Sequence, residues 1–114
     1  MSLYADYIKE TKDHIVIEDE NGFYEYSLKN ECLYLENIYV IPSARGFKVA
    51  RKYIKELGQI AEKYDLPCLT GVVNVKHHNA NNILMLYLRN KASVIMADND
   101  NIYVSIITQD IKTL

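Results

Sequence analysis

The sequence predicts an α/β fold: a three-layer α/β/α sandwich built on a mixed, mostly antiparallel sheet with one central parallel strand pair. Three observations carry this. Residues 32–41, CLYLENIYVI, are apolar on both alternating faces apart from Glu36 and Asn37, as expected of a central strand covered on both sides. That segment runs through Pro42-Ser43-Ala44-Arg45-Gly46 into a long amphipathic stretch and then into a second apolar strand, 68–75. A strand–helix–strand run implies a right-handed crossover between parallel strands. Shorter alternating segments on either side read as antiparallel hairpins, and the order α-β-β-β-α-β-α-β-β completes the architecture.

Each element has its own warrant. Residues 3–11 form a short helix with Leu3, Tyr4, Tyr7 and Ile8 on one face. At nine residues it must dock on the sheet to be stable. Residues 14–19 and 23–29 are strands joined at Asn21-Gly22, a pair that favours positive φ at both central positions of a hairpin turn. In the second of these strands Tyr24, Tyr26 and Leu28 make the core face, and Phe23, Glu25 and Ser27 the other. Asn30-Glu31 is the next turn. In 46–64, Ala50, Tyr53, Ile54, Leu57, Ile60, Ala61 and Tyr64 repeat at helical spacing. Gly58 costs about 1 kcal/mol there, and Asp65-Leu66-Pro67 ends the helix. A polar loop, Lys76–Asn82, leads to a helix over roughly 80–90, and 93–97 and 102–108 close the sheet as a hairpin.

The 114 residues suit one domain, 1–114. A net charge of −2 gives no electrostatic support for nucleic-acid or anionic-membrane binding. No apolar run approaches a membrane span, and charge arrives too early in MSLYADYIKE for a signal peptide, so the expected compartment is the cytoplasm. Cys32 and Cys68, far apart in the sequence, are expected to be buried thiols in a reducing environment. His77-His78 offers no metal site, because adjacent side chains diverge and no further ligand stands at the right spacing.

The candidate site follows from the strand–turn–helix junction. The start of a helix presents unpaired N–H groups and the positive end of a dipole, a place for an anion. Residues Leu35-Glu36-Asn37-Ile38-Tyr39-Val40-Ile41-Pro42-Ser43-Ala44-Arg45-Gly46-Phe47-Lys48-Val49-Ala50 resemble the acetyl-coenzyme A motif of the GNAT superfamily of N-acetyltransferases. Arg45 and Ala50 fit that family's Arg/Gln-x-x-Gly-x-Gly/Ala signature, with Lys48 where its first glycine belongs. Lys48 either offers its ammonium to a phosphate or obstructs the turn. The likeness covers about residues 14–108. The family's first strand is absent and its N-terminal helix pair is reduced to one.

The resemblance implies a GNAT-like sandwich and an acetyl-CoA co-substrate without a metal. By resemblance the cofactor contacts are Ile38, Val40, Arg45, Gly46, Phe47, Lys48, Val49, Ala50 and Asn79, and Tyr87 protonates the departing thiolate. Glu36, the nearest carboxylate on the strand, is the candidate base for an amine acceptor. Each has a plainer reading: Glu36 as a solvated strand residue, Tyr87 as helix packing, Arg45 and Gly46 as a turn, Asn79 as a helix cap. The expected activity is acetyl transfer to an amine. The alternative is a catalytically inactive GNAT-fold protein acting through a protein partner. A homodimer, with Tyr24, Tyr34 or Tyr39 at the contact, is a further expectation.

Overall fold

The computed structural model describes residues 2–29 and 31–114, with the side chain of Phe47 excepted. The chain runs α1 (Leu3–Lys12), β1 (Ile15–Asp19), β2 (Gly22–Lys29), β3 (Cys32–Val40), a 3₁₀ turn (Pro42–Ala44), α2 (Phe47–Lys63), β4 (Cys68–Asn74), α3 (Ala80–Arg89), β5 (Ser93–Ala97), β6 (Asn101–Ile107) and α4 (Thr108–Ile111). Six strands form one sheet in the order β1-β2-β3-β4-β6-β5. Among the described residues only β3 and β4 pair in parallel; the other neighbours are antiparallel. The expected three-layer sandwich and its central parallel pair are present.

Helix α2 builds the main core. Its Tyr53, Ile54, Leu57 and Ala61 are buried against Leu33 and Leu35 of β3, Leu69 of β4 and Val104 and Ile106 of β6. Each such large side chain removed from water contributes about 1.5–3 kcal/mol. Arg51 of α2 donates to Asn90 Oδ1 at 3.0 Å and to the Arg89 carbonyl at 2.9 Å, which ties α2 to the end of α3. Across the sheet, α1 covers a separate small cluster of Ala5, Ile8 and Val16, with Phe23 packed against it. Ser2 caps α1, its Oγ accepting the Ala5 N–H at 3.0 Å.

Several details depart from the sequence reading. Leu3 and Tyr7 are exposed, and α1 docks through Ala5 and Ile8. A helix of 10 residues meets the sheet along a narrow stripe only. The first hairpin does not turn at Asn21-Gly22: Gly22 already belongs to β2, opposite Asp19, and neither residue has positive φ. The Asp19 carboxylate instead accepts the N–H groups of Asn21 and Gly22, at 2.8 and 3.2 Å, and sets the turn. In β2 both faces are covered from Tyr24 to Ser27, while Leu28 is 54% exposed. Tyr24, expected at a surface contact, is buried against Tyr53 and donates to Glu56 at 2.8 Å. The strand expected over 102–108 ends at Ile107, and a short helix, α4, starts at Thr108, which anchors it by donating to the Leu66 carbonyl at 2.8 Å. In the second turn Glu31 has φ 63, and Asn30 lies outside the described residues. Cys32 and Cys68 are half-buried rather than buried, and their sulfurs lie 2.9 Å apart at the start of the parallel pair.

Candidate active site where the central strands part

β3 and β4 pair at three positions only, Leu33–Leu69, Tyr34–Thr70 and Leu35–Gly71. Beyond them the strands separate, and the cause lies in β3. Between the pairs Glu25–Asn37 and Tyr26–Leu35, Glu36 has no partner on β2. This β-bulge adds one residue to β3, bending and twisting it at the point where it leaves β4. Pairing with β2 continues to Gly22–Val40, so β3 follows β2 away from β4.

The polar groups left on β3 can be assigned by alternation. The Ile41 N–H donates to the Asn21 carbonyl at 2.8 Å, toward β2. Period two then turns Tyr39 toward β2 as well, and Ile38 and Val40 toward the space β4 has vacated. The Val40 carbonyl agrees, since it accepts the Arg45 Nε–H at 3.0 Å from that side. Ile38 therefore presents its N–H and C=O to an open cleft.

The cleft has a volume of about 690 Å³ and is lined from β3, β4, the start of α2, the 74–79 loop and α3. That is the size range of small-molecule sites. Leu35, Ile38, Val40, Ala50, Val73, Leu86 and Tyr87 supply apolar wall, and Glu36, Asn37, Asn74, His77, His78, Asn79 and Asn82 supply polar groups. Because the sheet itself is parted, side chains from both of its faces reach the cleft.

Gly46 stands at the mouth. Its φ of 136 is open to glycine and strained for other residues, and nothing lies within 4 Å of where a Cβ would be. No side chain caps α2 after it, and no acidic residue sits in the first turn. The helix thus offers its first N–H groups and positive dipole end to the cleft. Arg45 is exposed, with its guanidinium 5.9 Å from the Tyr39 ring centre. Arg45, Gly46 and Ala50 line the cleft. Lys48 points to solvent and is not part of the wall, and Val49 packs toward the core. The backbone of Phe47 opens the helix.

Tyr87, on α3, is buried with its hydroxyl over Gly71, in the space a side chain at position 71 would fill. Gly71 is the last residue of β4 paired with β3, so this hydroxyl marks the apex of the divergence. Burial, with a smaller contribution from Tyr34, raises the Tyr87 pKa well above the ordinary tyrosine value and keeps it a phenol. Asn79 precedes α3 and lines the cleft without capping the helix; its Oδ1 accepts from Asn82 Nδ2 at 3.4 Å. His77 Nδ1 accepts the Asn79 N–H at 3.0 Å. The rings of His77 and His78 do not diverge: they stack, centroids 4.5 Å apart. Among the described residues no group of three or more His, Cys, Asp or Glu could hold a metal ion.

Glu36, at the bulge, is not a free carboxylate. It accepts from Ser27 Oγ at 2.6 Å and Lys29 Nζ at 2.9 Å, and lies 3.3 Å from His14 Nε2. The other ring nitrogen of His14 is 2.7 Å from Glu25, whose second oxygen accepts from Asn37 at 3.1 Å. Glu25 is only 2% exposed. Burial pushes its pKa up, but the hydrogen bonds from His14 and Asn37 and the His14 charge win, and the net shift is downward. The sequence reading passed over His14, Glu25 and Asn37. Alternation gave no signal, because it set Glu25 with Phe23 and Ser27 opposite the core face, and that face of β2 is covered as well.

No family model matches the sequence, and no curated protein matches it significantly. Solved structures do match in fold. The PaiA N-acetyltransferase from Thermoplasma acidophilum, in complex with coenzyme A, superposes at TM-score 0.72 and 14% identity over 92% of this chain and 68% of its own. The Campylobacter jejuni N-acetyltransferase PseH, in complex with acetyl coenzyme A, gives 0.67 and 18% over 90% and 73%. The anti-CRISPR protein AcrVA5 gives 0.64 and 14% over 79% of this chain and 96% of its own. At these identities the likeness is one of architecture, and by that architecture this chain has the fold of the GNAT N-acetyltransferases.

Proposed function

We propose that the protein is an acetyl-CoA-dependent N-acetyltransferase acting on an amine. The observation that carries the reading is the cleft between β3 and β4, with an uncapped helix start at its mouth and a buried tyrosine hydroxyl at its apex. The neighbours crystallised with coenzyme A or acetyl-CoA support it.

The residues present suit such a co-substrate. The first N–H groups of α2 and the open face at Gly46 would take the diphosphate, with Arg45 and Lys48 adding positive charge nearby. The pantetheine arm would run along β3 as an added strand, bonding the N–H and C=O of Ile38 and the N–H of Val40, whose carbonyl Arg45 occupies. A backbone N–H of the bulged segment would stabilise negative charge developing on the thioester oxygen. The amine nitrogen forms a bond to the acetyl carbon, the carbon–sulfur bond breaks, and Tyr87 gives its proton to the thiolate. Glu36, through water, would take the proton the amine loses.

A catalytically inactive, partner-binding protein on the same fold is the second reading. It is favoured by Lys48 in place of a motif glycine and by a single helix, α1, on the outer face of the sheet. Isothermal titration with acetyl-CoA, followed by a thiol-release assay over a panel of amines, separates the two. Binding with turnover establishes the enzyme; no binding at millimolar acetyl-CoA ends the transferase reading. The half-buried free thiols and the lack of a membrane-crossing helix among the described residues support placing the protein in the cytoplasm.

A further inference from the structure

We infer that Cys32 and Cys68 are a site of reversible oxidative modification, closing to an intramolecular disulfide when the protein meets a peroxide. The two residues open β3 and β4 and sit side by side immediately before the Leu33–Leu69 pair. Their sulfurs are 2.9 Å apart, so an approach of about 1 Å brings them to bonding distance. Both are half-buried, which leaves a path for a small oxidant.

The surroundings assign the two roles. Burial opposes ionisation of Cys68, but hydrogen bonds from Cys32, Ser105 and Thr70 outweigh it and lower its pKa. The Cys32 pKa is raised, first by its hydrogen bond to Cys68 and then by burial. The Thr70 hydroxyl, 3.7 Å from the Cys68 sulfur, gives a thiolate there a neighbour besides Cys32, so Cys68 is assigned the attack and Cys32 the resolution of the product. The Cys68 sulfur attacks one peroxide oxygen, the O–O bond breaks, and the departing hydroxide takes a proton to become water. The Cys68 sulfenic acid is then attacked by the Cys32 sulfur. The S–O bond breaks, and the hydroxide leaves with the Cys32 proton as a second water. Two thiols lose two electrons and one hydrogen peroxide is reduced to two waters. In a reducing compartment the pair rests as thiols, and a thiol reductant reverses the bond.

The bond would fasten the parallel pair at the end away from the cleft, beyond the Leu35–Gly71 apex. This site does not depend on the transferase reading. The test uses the full chain, reduced, desalted and exposed to stoichiometric hydrogen peroxide. Expected are loss of both titratable thiols, a monomer on a non-reducing gel, a Cys32–Cys68 linked peptide by mass spectrometry, and recovery of both thiols with dithiothreitol. In urea the internal bond should close from the sulfenic acid about tenfold more slowly or worse, because the unfolded chain loses the proximity. In Cys32→Ser, dimedone should label Cys68; in Cys68→Ser, labelling of Cys32 should be several-fold weaker. Thiols that stay titratable, linked dimers instead of an internal bond, or equal rates of internal-bond closure folded and unfolded would each overturn the inference. The linked-peptide and urea measurements use the unaltered chain, so they decide the matter even if a variant fails to fold.

Discussion

Tyr87 is worth attention as a single residue because its position and its protonation agree. A phenol held over Gly71 by packing, with its ionisation suppressed by burial, keeps its proton at every physiological pH, and under the proposed mechanism that is the proton the leaving thiolate would take. Tyr87→Phe keeps the ring and removes the donor. Turnover should fall about 100-fold, the usual scale for losing a positioned acid, while acetyl-CoA affinity by titration changes little. Gly71→Ala attacks the same point sterically. The added methyl overlaps the Tyr87 hydroxyl, so thermal unfolding should show a loss of about 1–3 kcal/mol, and activity should drop with it. Glu25 gives a pH signature. Its carboxyl has a folded-state pKa below the ordinary value of 4.5, so its contribution to stability is complete above that value and is lost as pH falls through the depressed one. Stability measured from pH 7 down to pH 3 should decline more gently in Glu25→Gln than in the unaltered protein. At neutral pH the same variant should be less stable by about 3 kcal/mol, since it leaves His14 and Asn37 with a poorer partner.

At the scale of elements, the strand–turn–helix unit was plain in the sequence because each part has a strong local cause. An apolar run made β3, Pro42 stopped it, and the period of Ala50, Tyr53, Ile54 and Leu57 made α2. The bulge at Glu36 left no such trace, because it arises from the mismatch of two strands and neither strand alone encodes it. The first hairpin was misread for a related reason: Asp19 supplied the turn through its carboxylate, overriding the Asn-Gly preference. Helix α4, four residues long, depends on Thr108 meeting a distant carbonyl and on Ile111 fitting against Gly58, and is invisible to periodicity. The glycine read as a small cost to α2 is what lets α4 dock. Gly46 ties element to site. Gly46→Val forces a branched residue into positive φ, and titration should show acetyl-CoA affinity falling at least about tenfold because the turn cannot keep its shape.

Across the whole molecule, the reading from sequence located the cleft but not its chemistry on the far side. Ile38, Val40, Arg45, Gly46, Ala50, Asn79 and Tyr87 do come together around one cavity, because the crossover brings the end of β3, the start of α2 and α3 to one place. The imidazole between two carboxylates stayed hidden, since His14, Glu25 and Glu36 come from three different strand regions that only pairing aligns. Lys48 sits on the first turn of α2, exposed and outside the wall of the cleft.

The short seam between β3 and β4 has a further bearing on how the protein moves. Among the described residues, the strands of the β1–β3 wing meet those of the β4–β6 wing at three residue pairs, backed by the core under α2. So small a weld predicts that the two plates flex against each other like the prongs of a tuning fork, and that a molecule lodged between the prongs, touching both, would damp them. Amide exchange in β3 and β4 alike, on residues far from any contact, should then slow together when coenzyme A is added.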